Sequence, residues 1–92
     1  MAIEKADVVR SLAGRDAGEL FFVSLTDGEY AYIVNGRDRR LEKPKKKKLK
    51  HLKRVERGTD RVDLKLRSGE KVTNSELRRA LAEKAGEGNK EV

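Results

Sequence analysis

Apolar residues occur in short runs separated by glycine-centred turns. Asp7–Leu12 is a brief apolar-rich run, and the loop Ala13-Gly14-Arg15-Asp16-Ala17-Gly18 follows it. Leu20–Leu25 reads LFFVSL, an aromatic and branched pattern that predicts a strand. Asp27-Gly28, a favoured pair for a two-residue hairpin turn, leads into Tyr30–Val34 (YAYIV). Asn35-Gly36 repeats the device before Arg37–Glu42. The spacing predicts an antiparallel meander, with Arg37–Glu42 as a further segment that Pro44 ends, since proline cannot donate to a ladder.

Lys45–Arg57 reads two ways. Leu49, Leu52 and Val55 recur every third residue, as on a helical face. A lysine-rich loop leading into a strand at about Lys50–Glu56 is the preferred alternative, because a small barrel needs a closing strand. Val62, Leu64 and Leu66 alternate with Asp63, Lys65 and Arg67, the period of a half-buried strand. Ser68-Gly69 turns the chain back. Thr73 and Glu76 have capping-box spacing. Leu77, Ala80, Leu81 and Ala85 continue as an apolar stripe, so a helix is expected over about 74–85. Gly86 stops it and Glu87–Val92 is a disordered tail. The expected fold class is mainly β with one C-terminal helix: residues 1–85 form one small antiparallel barrel or sandwich, and the helix covers a mouth or a side.

Composition narrows the function. In 92 residues, 36% are apolar and 42% charged, with two Phe, two Tyr and no Trp. The core is therefore thin, and a large multistep enzyme is excluded. Absence of cysteine removes disulfides, thiolate metal sites and cysteine nucleophiles. A single histidine makes no histidine-based metal site. No motif specifies a catalytic constellation, so the expectation is a non-enzyme without cofactor or metal. No apolar run has the length of a signal peptide or a membrane span, and a cytoplasmic protein without a membrane partner is expected.

The net charge of +7 is unevenly placed. Arg37–Arg57 holds twelve basic and three acidic residues, whereas the rest of the chain is slightly acidic. Such a segment attracts phosphate polyanions. Arg15 projects from the first loop and could pair with phosphate. Gly14 and Gly18 shape that loop, and Asp16 caps its turn or orients Arg15. Arg37, Arg39 and Arg40 offer rigid forks for phosphate or base edges. Lys43, Lys45, Lys46, Lys47 and Lys48 supply flexible point charges, giving affinity without sequence information. Lys50, Lys53 and Arg54 extend the stretch. His51 could stack on a base or bond a phosphate, and a partly packed strand residue fits it equally. Phe21, Phe22, Tyr30 and Tyr32 could be stacking platforms, but most should be core, with Tyr30 or Tyr32 the exposed exception.

Val8–Val23 resembles a KOW motif: alternating apolar residues, glycines around a basic turn, then a second apolar strand. The Ala13–Gly18 loop is similar to that of the archaeal and eukaryotic large-subunit ribosomal protein of the L-fourteen-e type. Tyr32, Val34 and Gly36 resemble that family's third strand and turn, Arg39-Arg40 its basic pair, and Lys50-His51-Leu52 its closing-strand motif. The resemblance spans about Asp7 to Val55. It implies an SH3-like five-stranded barrel that binds structured RNA in a ribosomal context, ribosomal RNA above all; separately, a monomer is expected. Beyond Val55 the chain departs from those relatives. The added strand and helix resemble small free-standing bacterial KOW proteins, and the long basic helical extension of the eukaryotic members is missing. The rival expectation is a protein-interaction module docking on a ribosomal, transcription or assembly factor, since the fold does not decide between them. A DNA-binding accessory protein is a lesser one.

Overall fold

A computed structural model describes residues 2–57 and 61–90. The strands are β1 (Val8–Ser11), β2 (Leu20–Asp27), β3 (Tyr30–Val34), β4 (Lys45–Lys48) and β5 (Leu52–Glu56). A one-turn 3-10 helix, Leu49–His51, joins β4 to β5. Two helices follow, α1 (Arg61–Ser68) and α2 (Asn74–Lys90). All five strands form one antiparallel sheet in the order β4-β3-β2-β1-β5.

Strand alternation divides the core between the two faces of the sheet. Val8 pairs with Phe22, and Phe22 with Val34. These three residues join Leu66, Leu77 and Leu81 of the helices in one buried cluster. Their neighbours Val9, Phe21, Val23, Ala31 and Ile33 point to the opposite face and pack with Leu52 in a second. Phe21 and Phe22 are both almost fully buried, and each contributes about 2–3 kcal/mol of transfer free energy. A bulge between Val23 and Leu25 switches Leu25 from the Val23 side to the helix-side face, opposite Tyr32. The helices cover only part of that face: Leu25 is 53% exposed.

Several expectations need correction. Arg37–Glu42 is irregular loop, because Asn35 ties it to itself. Asn35 Oδ1 accepts the backbone N–H groups of Arg37 (2.9 Å) and Arg39 (3.1 Å), while its Nδ2 donates to Asp38 (2.9 Å). Lys45–Lys48 is strand and not loop, its four residues in register with Ile33–Tyr30 of β3. Val62–Arg67 is helical. A strand would place Val62, Leu64 and Leu66 together. The helix instead aligns Val62 and Leu66 against α2 and leaves Leu64 54% exposed. It closes at Gly69, where the Glu70 N–H reaches back to the Lys65 carbonyl at 2.9 Å.

The expected capping box is present at α2. The Thr73 hydroxyl accepts the Glu76 N–H (3.1 Å), and the Glu76 carboxylate accepts the Thr73 N–H (3.2 Å). Gly86 does not stop the helix, which continues to Lys90; the last two residues of the expected tail lie outside the described residues. The sheet also stays open, with β4 and β5 as its edges rather than closed on each other. Lysines along β4, and Lys53 and Arg54 on β5, protect those edges from pairing with other chains.

Candidate nucleic-acid interface

The four lysines of β4 do two different jobs. Lys45 and Lys47 stand opposite Ile33 and Ala31, so they point to the inner face. Lys46 and Lys48 stand opposite Tyr32 and Tyr30 and point outward. Lys47 is only 8% exposed. Its ammonium donates to Asp16 Oδ1 (2.6 Å), to the Ala13 carbonyl (2.6 Å) and to Ser11 Oγ (2.8 Å). Lys45 reaches the other Asp16 oxygen at 3.0 Å. Ser11 Oγ also donates to Asp16, at 2.7 Å. Burial alone would raise the Asp16 pKa, but the bonds from Lys47, Ser11 and Lys45 hold its carboxyl well below the usual carboxylate range.

This network fastens the β1–β2 loop to β4. The Asp16 carboxylate thus joins the loop to β4 through lysine partners that no local pattern reveals, rather than through its own turn or Arg15. Gly14 and Gly18 take left-handed φ angles of +87° and +92° within the loop. Arg15, between Gly14 and the pinned Asp16, is exposed. Lys47 is thus a buried strut and is not offered to phosphate; Lys45 is largely committed to the same carboxylate.

The loop after β3 is anchored to the start of α2. The Leu41 N–H donates to Asn74 Oδ1 (2.8 Å), Asn74 Nδ2 to Glu42, and Arg78 to the Gly36 carbonyl (2.6 Å). Gly36 has φ +79°, and a Cβ there would sit 2.3 Å from the Asn74 carbonyl oxygen. From this anchored loop Arg37, Arg40 and Lys43 project into solvent. Arg39 is half-buried, and its carbonyl accepts the N–H groups of Asn35 and Gly36. The Asn35 side chain holds the Asp38 carboxyl below its ordinary pKa by donating to it.

Lys50 is exposed on the 3-10 turn, and Lys53 on β5. His51 is half-buried, and its carbonyl accepts the Leu12 N–H at 2.8 Å. Arg54 is half-buried too, 3.7 Å from the fully buried Asp7 and within 3.3 Å of the Ala2 carbonyl. Arg15, the 37–43 loop and β4 thus lie on connected elements, whereas Lys53 and Arg54 occupy the far edge of the sheet.

Two arginines outside the basic run belong beside this set. Arg10, exposed on β1 opposite Lys53, and Arg78 of α2 line a groove of about 680 Å³ together with Arg37, Glu19, Glu56 and Lys84. Lys84 is bonded to Glu56 across it. The only trace of Arg10 in the sequence is a charge interrupting an apolar strand, and Arg78 has none. Among the described residues no cluster of His, Asp or Glu is placed to hold a metal ion, and no helix is long and apolar enough to cross a membrane. Comparison of the chain with protein-family models and with curated proteins finds no match.

Proposed function

We propose that this chain is a KOW-type RNA-binding protein that engages structured RNA, ribosomal RNA in particular, through its basic loops and β4. One observation carries the reading. Arg15, Arg37, Arg40, Lys43, Lys46, Lys48, Lys50 and Lys53 are exposed, and among the described residues none of them has a carboxylate within ion-pairing distance. Their charge is left to the solvent side, where a polyanion would release the counterions they hold. The strand order supports the finer fold reading. A 3-10 turn carries β4 into β5, which returns to pair with β1, the connectivity of an SH3-like barrel that has not closed. Folded RNA helices are recognised mainly through shape and backbone, and that suits cations presented on anchored loops.

The test is binding of a structured ribosomal RNA fragment across a salt series. Engagement of about four phosphates gives a log–log slope near −3. The Lys46→Gln/Lys48→Gln double variant should flatten that slope by about 1.5. A salt-independent affinity, or one untouched by the double variant, would sink the proposal. Survival of a protein complex under the same substitutions would point to the interaction-module alternative.

A further inference from the structure

We propose that the part of the sheet left open by the helices receives a single-stranded stretch of RNA, its bases stacking on Tyr30 and Tyr32 and its phosphates meeting Lys46, Lys48 and Lys50. The inference rests on the RNA-binding reading above and narrows it to unpaired nucleotides. Tyr30 and Tyr32 lie on the same side of β3, both half-buried, with exposed Leu25 opposite Tyr32. Lys48 and Lys46 lie opposite them on the other flank. The surface is therefore an aromatic strip with cations along one side only.

Spacing selects the ligand. Side chains two residues apart on a strand stand about 6.8 Å apart, twice the roughly 3.4 Å stacking rise of a nucleic-acid strand. Bases stacked inside a duplex cannot meet both rings. Bases splayed from a single strand can, as on other sheet platforms for RNA. Lys46 already rests 4.4 Å from the centre of the Tyr30 ring. That exposed cation–π contact is weaker than the stacking of a base on an aromatic ring. An arriving base therefore displaces the ammonium, which is then free to bond the adjoining phosphate.

Charge sets the direction of the track. Asp27, opposite Tyr30, and Glu29 repel phosphate on the hairpin side, so the backbone runs along β4. Beyond Tyr30 a pocket of about 390 Å³ is lined by Gly28, Glu29, Lys48, Leu49 and Lys50. It gives the next nucleotide a place with cations for its phosphate and, in Glu29, an acceptor for a base N–H group.

The chain supplies its own reporter. With two tyrosines and no tryptophan, its tyrosine emission comes from this strip alone. Titration with a single-stranded oligouridylate of about eight nucleotides, a typical length for such sites, should quench that emission as binding proceeds in a mobility shift. Tyr30→Leu and Tyr32→Leu should each weaken oligouridylate binding by about 5- to 150-fold, and Tyr30→Phe should restore it. Binding of a blunt RNA duplex should be the same in all variants. Leucine variants that bind oligouridylate like the parent, or emission that stays constant while the shift reports binding, would overturn the inference and leave RNA binding standing. Loss of both oligouridylate and duplex binding in the parent protein at low salt would remove both readings.

Discussion

Lys47→Met separates the buried strut from the surface cations around it. The substitution keeps most of the side-chain volume and removes the ammonium. Asp16 retains Lys45 at 3.0 Å and Ser11 at 2.7 Å, so its charge is not stranded. That places the loss at the low end of the roughly 3–5 kcal/mol that follows removal of one member of a buried pair. The Ala13 carbonyl, bonded at 2.6 Å, also loses a donor. We expect a total near 3 kcal/mol, a large share of the roughly 5–14 kcal/mol available to a chain of this length. At about 4–8 °C per kcal/mol, the midpoint should fall by about 15 °C or more. Lys46→Met and Lys48→Met should stay within about 0.5 kcal/mol of the parent. Urea denaturation followed by circular dichroism measures all three. Adding Asp16→Asn to Lys47→Met removes the leftover carboxylate charge, and the double variant should lose less than the sum of the singles by about 1–2 kcal/mol. A Lys47→Met protein as stable as its Lys46→Met counterpart, with additive losses in the cycle, would refute the strut.

Four further outcomes can be measured directly. The folded Asp16 pKa lies below its unfolded value, so its stabilisation is full above the ordinary carboxylate range and declines as pH falls through about 4 and below; Asp16→Asn should remove that part of the acid dependence in a pH series of unfolding midpoints. Gly36→Ala combines a left-handed φ with a Cβ 2.3 Å from a backbone oxygen, and should cost more than about 2 kcal/mol by chemical denaturation. Gly28→Ala, whose Cβ meets nothing within 4 Å, should cost only about 1 kcal/mol. Thr73→Ala removes the α2 cap and should cost about 1 kcal/mol, lowering the thermal midpoint by several degrees.

The parts of the fold that could be read in the sequence are those fixed by neighbours along the chain. Asp27-Gly28 and the flanking apolar runs announce the β2–β3 hairpin, and Thr73 with Glu76 announces the start of α2. The elements misread are those in which distant partners decide. Val62, Leu64 and Leu66 fit a strand as well as a helix until α2 supplies a surface that wants only Val62 and Leu66. Four consecutive lysines look like solvated loop because their composition conceals alternation. The inner pair is revealed only by β3 alongside and by an acid some thirty residues upstream, Asp16. Two members of the expected set leave it for the same reason: Arg54 and Lys47 are indistinguishable from their neighbours in sequence, yet buried carboxylates claim them.

The loop bearing Arg37 and Arg40 is fastened to the first turns of α2 by Asn74, Arg78 and the close passage of Gly36. Deletion mapping will therefore mislead. A fragment ending before Asn74 would retain every basic residue from Arg15 to Arg57 and still lose the arrangement of its arginines, so the helix would score as a binding element through the loop it holds. Conversely, a peptide spanning the basic segment would keep the charge and forfeit the geometry, and would bind polyanions without discrimination.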